Sequence, residues 1–379
     1  MELKSKYDVA IVGGGLAGLS SAIELRRSGH EVIVFEKSSY PFHKVCGEYI
    51  SMESWNFLEH LGIPLGRMSL PRIHTLLVTA PNGNSFTTQL PLGGFGISRF
   101  ALDHQLANQA KNMGVHIAEH SKVDEISFHN DKFIIHSKSN QFIADACCAA
   151  FGKHSNLDVK WKRQYLLSYD KRLDNFVAIK YHIKTDWPNH MIGLHNFENG
   201  YCGISKIEDD LYCLCYMTRA SELKKCNHQV PTLEEKVVYS NPHLKKIFLN
   251  CSIAAEFPVS ISQINFNRKT QVEDHVLMLG DAAGLIAPLC GNGMSMALHS
   301  GKIAAKLVDS LLKGMMGRKE MEENYSKEWK HQFAGRLRTG RILQGFFGSS
   351  ALSNLFVKTF RTLPFLAGPI VKMTHGKPY

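Results

Sequence analysis

Asp8-Val9-Ala10-Ile11-Val12-Gly13-Gly14-Gly15-Leu16-Ala17-Gly18 decides the fold. Its first half is an apolar run of strand length, and its second half is a glycine turn leading into an alanine- and leucine-bearing helical stretch that reaches about Ser28. A second strand, Glu31-Val32-Ile33-Val34-Phe35-Glu36, closes a βαβ unit of about 30 residues. Gly13, Gly15 and Gly18 match G-x-G-x-x-G, and each has a task. Gly13 makes the turn, Gly15 lets the backbone approach a pyrophosphate, and Gly18 lets helix and strand pack closely. The N–H groups of the first helical turn, at Leu16 and Ala17, favour an anion. Glu36, at the end of the next strand and followed by Lys37, is placed to accept hydrogen bonds from ribose hydroxyls. The alternative is a structural glycine turn with Glu36 a solvated carboxylate.

Outward from that unit, residues 73–90 read as a hairpin around Pro81-Asn82-Gly83, and Leu102–Met113 has helical spacing. Between Val177 and Met217 four strand-like runs alternate with short polar turns, which predicts a mostly antiparallel sheet. The α/β pattern returns at His275–Leu279, and a long helix is expected from about Gly293. A second glycine-rich stretch precedes that helix: Gly280-Asp281-Ala282-Ala283-Gly284, then Pro288-Leu289-Cys290-Gly291-Asn292-Gly293-Met294.

With 379 residues, 44% of them hydrophobic and 21% charged, the chain can bury a large core, which excludes disorder, collagen and coiled coil. Nine cysteines without a C-x-x-C read as reduced thiols of a cytoplasmic protein. No signal peptide or spanning helix is expected. The net charge of +10 concentrates at the end: from Trp329 onward there are eight Lys or Arg and no Asp or Glu. No nucleic-acid-binding signature accompanies it. Leu352, Leu355, Phe356, Phe360 and Leu363 form an apolar helical stripe there, with Lys358 and Arg361 off it. Two readings stay open: helices capping a substrate cavity, or a peripheral contact with an anionic membrane through 329–379. His182, His190 and His195 lie in or near strands without zinc-like spacing, so no metal is expected.

The opening fingerprint together with Gly280-Asp281-Ala282 resembles the FAD-dependent oxidoreductases of the p-hydroxybenzoate hydroxylase and geranylgeranyl reductase superfamily. The resemblance implies FAD as cofactor, with Asp281 on the ribityl chain and the backbone of Gly291, Asn292, Gly293 and Met294 near the flavin pyrimidine, Pro288 being substrate-side. Ser98-Arg99-Phe100-Ala101-Leu102-Asp103 is similar to the family's Arg-x-x-Leu-Asp helix start, by which Arg99 reaches the cofactor; a solvated first-turn arginine is the competitor. Pro41-Phe42-His43-Lys44-Val45-Cys46-Gly47-Glu48 resembles the Pro-x-x-Lys-x-Cys-Gly stretch of the reductases, so Lys44, Cys46 and Gly47 pass the flavin. Cys46 is then either a proton donor or substrate contact, or a small cysteine packed beside the ring.

Three departures narrow the resemblance. Phe151 stands where the hydroxylases carry an aspartate, which puts direct use of NAD(P)H as electron donor in doubt, so an electron-donor protein is an alternative partner. Tyr201 alone remains of the reductases' aromatic substrate segment, and none of Trp55, Trp161, Trp187 and Trp329 forms the halogenases' Trp-x-Trp pair.

The expected architecture is α/β: a Rossmann-like FAD-binding domain (1–70, 98–155 and 270–328), an inserted mostly antiparallel substrate domain (71–97 and 156–269), and a basic apolar helical tail (329–379). The expected function is FAD-dependent oxidation or reduction of an apolar prenyl, polyene or polyketide-like molecule. The reaction is either hydride transfer to a double bond or monooxygenase chemistry through a C4a-hydroperoxyflavin. The alternative is a non-catalytic flavin- or nucleotide-binding protein docked at membranes.

Overall fold

The computed structural model describes residues 5–167, 176–254, 258–264 and 266–379. Strand Lys6–Val12 is central in the first sheet, pairing in parallel with Val32–Phe35 on one side and Asn140–Ala149 on the other. Val276–Met278 and His116–Ala118 extend the sheet outward, again in parallel. Val9, Ala10 and Ile11 are wholly buried, as a parallel strand covered on both faces must be, which is why the run is apolar without alternation. Helix Leu16–Arg27 follows the glycine turn, and the 20-residue helix Gly293–Leu312 packs alongside it.

The second sheet runs in the order Ser252–Ile253, Phe176–Lys184, Tyr212–Arg219, Gly200–Lys206, Met191–Phe197, Arg72–Thr79, Ser85–Gly96, Tyr49–Ser51. Every pairing is antiparallel except Met191–Phe197 with Arg72–Thr79, the seam where the early hairpin joins the later meander. Alternation gives the sheet two faces. Val177, Ile179, Tyr181, Ile183, Leu214 and Tyr216 look outward and pack with Leu233, Leu244 and Ile247 of the covering helices. The register puts Lys180 and His182 beside Cys215 and Cys213, and those beside Gly203 and Ser205, all on the opposite, inner face. Farther along that face come Leu194, Val78 and Phe86.

Three helices complete the chain: Arg318–Phe346, Ser350–Thr362 and Ala367–Thr374. The first runs unbroken through Trp329 and belongs to the core. Tyr325, Trp329 and Phe333 are buried, each such side chain contributing about 1.5–3 kcal/mol, and the Tyr325 hydroxyl donates to the Met278 carbonyl at 2.6 Å. The apolar stripe of the second helix lies differently from the sequence expectation. Ser353, Val357 and Phe360 are buried, whereas Leu352 and Leu355 are exposed. No helix among the described residues is long and apolar enough to cross a membrane.

Candidate functional site: a glycine turn, an aspartate turn and a strap between two sheets

At the glycine turn the helix Leu16–Arg27 starts without a side-chain cap and without an acidic residue in its first turn. Its leading N–H groups therefore point at the space over Gly15 with no intramolecular acceptor. Two cations share that space. A Cβ built on Gly15 would lie 3.6 Å from Nη2 of Arg99 and 3.7 Å from Nζ of Lys44. Arg99 pairs through Nε and Nη2 with Asp103 at 2.7 and 2.8 Å, and Lys44 reaches the same carboxylate at 2.9 Å. Burial pulls the Asp103 carboxyl up, but Arg99 and Lys44 outweigh it and hold the group below its usual range. Arg99 is thus fixed over the turn rather than solvated. Uncapped N–H groups, two cations and a bare glycine fit a dinucleotide pyrophosphate.

The flanking residues fit too. Gly18 is where helix meets turn: a Cβ there would stand 2.1 Å from the Gly13 carbonyl oxygen. Glu36 is buried, its carboxylate accepting the Gly14 N–H and the Ser38 N–H, each at 3.0 Å, which holds it at the turn's edge, a position that suits a ribose acceptor. Leu16 and Ala17 are buried with their N–H groups at the turn, whereas Lys37 is exposed. Tyr40, which no sequence motif marked, donates to the Gly14 carbonyl at 2.5 Å. Burial, then Glu36, raises its phenol far above the usual range, so it stays a donor.

The second turn, Gly280–Ala282, lies at the end of strand Val276–Met278, beside the first. The Asp281 carboxylate is half-buried and makes no hydrogen bond among the described residues, which suits a hydroxyl-bearing ribityl chain. Its carbonyl accepts from Nζ of Lys269 at 2.9 Å, and the next carbonyl, of Ala282, accepts from Nη1 of Arg163 at 3.0 Å. These two buried cations pin the turn, and sequence reasoning missed both because neither lies in the motif. Gly291 adopts a left-handed conformation, φ +62°, before helix Gly293–Leu312, whose start carries no side-chain cap and no acidic residue. Asn292 and Met294 are buried there.

The strap Pro41–Glu48 crosses from the first sheet to the inner face of the second. Cys46 is half-buried, and a Cβ on Gly47 would meet nothing within 4 Å, so the strap has open space beside Gly47. Glu48 is fully buried, accepting from Nζ of Lys180 at 2.7 Å, from His182 Nε2 at 2.6 Å and from the Arg99 N–H at 2.9 Å. Burial would raise its carboxyl, but the His182 hydrogen bond and the Lys180 charge outweigh it and hold the carboxyl low. Oxygen, nitrogen and sulfur of Glu48, His182 and Cys213 lie within 4.8 Å of one another, although Lys180 shares the same carboxylate. Lys180 and His182 sat two apart in an apolar strand, a period-2 signal of a shared face that gave no hint of Glu48.

Beyond the strap an apolar cavity opens between the inner sheet face and the last helices. The space at and around its mouth, open solvent included, amounts to about 700 Å³. Leu76, Val78, Phe86 and Leu194 form its floor, Phe356 and Phe360 its roof, and Leu289, Cys290 and Gly291 its end wall. Two substrate-side expectations fall elsewhere. Pro288 is exposed while its three successors line the cavity, and Tyr201 is buried edge-on against Phe347, outside the lining. Phe151 lies beside the glycine turn, its Cα 2.8 Å from where a Gly13 Cβ would be.

Comparison with known proteins agrees with this geometry. Residues 6–132 match the family model described as FAD binding domain. The chain is 25% identical to conditioned medium factor receptor 1 of Dictyostelium discoideum, over 99% of this chain and 78% of that protein. It is 23% identical to a digeranylgeranylglycerophospholipid reductase of Methanococcus aeolicus, over 91% of this chain and 88% of the relative. Among solved structures the flavin-dependent brominase Bmp2 superposes with a TM-score of 0.79 at 19% identity, covering 97% of this chain and 93% of that one. Fold, glycine turn and matched domain define an FAD-dependent oxidoreductase, an enzyme class in which the bound flavin supplies the electron chemistry. Within that class the chain is similar, over most of its length, to digeranylgeranylglycerophospholipid reductases. The expectation of a non-catalytic carrier finds no support in these comparisons.

Proposed function

We propose that this enzyme reduces carbon–carbon double bonds of an apolar, prenyl-bearing lipid. The observation that carries the reading is the cavity: its floor and roof are apolar side chains, and its end wall is the Leu289–Gly291 segment that introduces the helix start. An extended hydrocarbon fits such a lining, and burial at about 25 cal/mol per Å² supplies its affinity. The similarity to digeranylgeranylglycerophospholipid reductases over most of the chain supports the prenyl class.

In this reading Gly13, Gly15, Leu16, Ala17, Gly18 and Glu36 hold the nucleotide half of FAD, with Arg99 and Lys44 over its pyrophosphate. Asp281 holds the ribityl chain, and Gly291 to Met294 face the pyrimidine. Cys46 and Gly47 border the substrate end, where the Cys46 thiol is a group able to give a proton. Bound flavin supplies the hydride; the chain orients the lipid and keeps water from the apolar cavity.

The proposed division of labour has 1–70, 98–155 and 270–328 as the FAD-binding domain, although strand Tyr49–Ser51 within it pairs into the second sheet, 71–97 and 156–269 as the substrate domain, and 329–379 as the tail. Leu352, Leu355, Phe365 and Met373 are exposed beside exposed Lys358, Arg361 and Lys372, a combination suited to an anionic membrane surface from which a lipid enters. That contact, a cytoplasmic setting and the electron donor, whether NAD(P)H or a donor protein, belong to the same proposal.

The test is anaerobic. The FAD-loaded protein is photoreduced and mixed with a geranylgeranylated glycerolipid in vesicles. Reoxidation of the flavin with gain of two hydrogens in the lipid supports the reading. Oxidation only on admitting air, with an oxygen atom in the product, replaces it by the monooxygenase branch.

A further inference from the structure

Three consecutive residues of the strap are tied to the second sheet. The Cys46 carbonyl accepts from the Cys213 thiol at 3.2 Å, and the Gly47 carbonyl accepts from the Ser205 hydroxyl at 3.3 Å. The Glu48 carboxylate takes Lys180 and His182. From the first sheet's side, the N–H of Arg99, at the start of a helix packed on helix Leu16–Arg27, donates to the same carboxylate, while the Ile97 N–H, just past strand Ser85–Gly96 of the second sheet, donates to the Glu48 carbonyl at 3.1 Å. Glu48 sits at φ +55°, a left-handed conformation that a glutamate holds only where its surroundings over-determine it.

Stability alone does not account for the charges. A buried ion pair is replaceable by apolar groups of the same volume at little or no loss. What the carboxylate does that an apolar group cannot is collect donors from both sides at once. Arg99, whose N–H it holds, is also the arginine over the glycine turn, and Lys180 and His182 come from the sheet whose apolar end floors the cavity. Glu48 therefore joins the cofactor-side cation to the substrate-side sheet through one side chain. The part of the strap left untied is the half-exposed Cys46 side chain and the bare face of Gly47.

We propose that Glu48 is a positioning residue which, by accepting from Lys180, His182 and the Arg99 N–H together, sets the Cys46 thiol and the open face of Gly47 where lipid and cofactor meet. It touches neither of them and acts through the strap. The inference rests on the strap being part of the site described under Proposed function.

The experiment compares the full, FAD-loaded chain with its E48Q variant. The readouts are the alkylation rate of Cys46 by iodoacetamide at fixed pH, followed by mass spectrometry of the Cys46 peptide, and the bound FAD per chain. A neighbour in one charge network couples strongly enough to expect alkylation about tenfold faster in E48Q, with FAD content held and turnover lowered through kcat more than KM. Because E48Q leaves Lys180 buried without its partner, two further variants carry the test. E48Q/K180M removes the stranded charge, and S205A loses only the Gly47 contact, for which a smaller acceleration is expected. Cys46 alkylation that is unchanged or slower in the folded variants overturns the inference. Alkylation needs no flavin, so a chain that refuses FAD would sink the proposed function while this comparison still decides the role of Glu48.

Discussion

Lys269 and Asp281 meet through the main chain: Nζ of the buried lysine donates to the Asp281 carbonyl at 2.9 Å and to the Lys153 carbonyl at 2.8 Å. Burial pushes the ammonium down to about 8. An anionic cofactor beside it favours the protonated form, so FAD affinity should fall as pH rises through about 8. In K269M, affinity should be weaker at neutral pH and flat across that window. Fluorescence titration of the apoprotein with FAD between pH 6.5 and 9.5, pH values chosen to bracket that pKa, reads both slopes; parallel slopes would dismiss Lys269 as the cause.

Gly14 carries no side chain because Tyr40 occupies its place. A Cβ there would lie 1.9 Å from the Tyr40 hydroxyl oxygen, too close for any side chain. G14A should therefore purify without FAD, and G14A/Y40F, which removes that oxygen, should regain part of it. Absorbance of the purified variants is sufficient. If G14A binds FAD as the parent does, the turn is not as rigid as the packing requires.

His195 should make the protein acid-sensitive. It is fully buried, its Nδ1 beside the Thr79 hydroxyl at 2.9 Å, and burial, then neighbouring His243, lowers its pKa to about 3. The folded value lies below the unfolded one, so the unfolded chain binds the extra proton. Stability is therefore full above about pH 6.5 and is lost as pH falls toward 3, by up to about 1.4 kcal/mol per pH unit. Thermal melts from pH 7 to 4 should show a steeper decline in the parent than in H195N; equal declines would remove His195 from the account.

Leu194 lies on the cavity floor, remote from the glycine turn. L194W should fill space that a hydrocarbon chain needs while leaving FAD content unchanged. Turnover of a long prenyl lipid should drop more than that of a short one, measured as product formed per bound flavin. Equal loss for both lengths would place the lipid elsewhere.

The parts of the molecule legible from the amino-acid order are those built by neighbours in the chain. Val9–Val12 with its glycines, and Gly280–Ala282 with the helix start after it, are short segments whose backbone needs are met by their own residue types, so spacing reveals them. Lys44, Cys46, Gly47 and Arg99 were likewise named from local motifs, and the structure brings Lys44 and Arg99 onto Asp103. Exposure was harder to read. Pro288 and the Leu352–Leu355 side of the tail helix face outward because each segment turns its other side to the cavity or core.

From the chain alone come the flavin-type turns, the alternation that makes the second sheet two-faced, and the basic apolar ending. Tertiary structure alone decided that Glu48 would receive Lys180 and His182 from 132 and 134 residues away, that Lys269 and Arg163 would pin the aspartate turn, and that the last helices would roof an apolar cavity. The physical reason is range: backbone conformation and side-chain periodicity are set over a few residues, whereas a buried charge finds its partner only when two sheets have closed on each other.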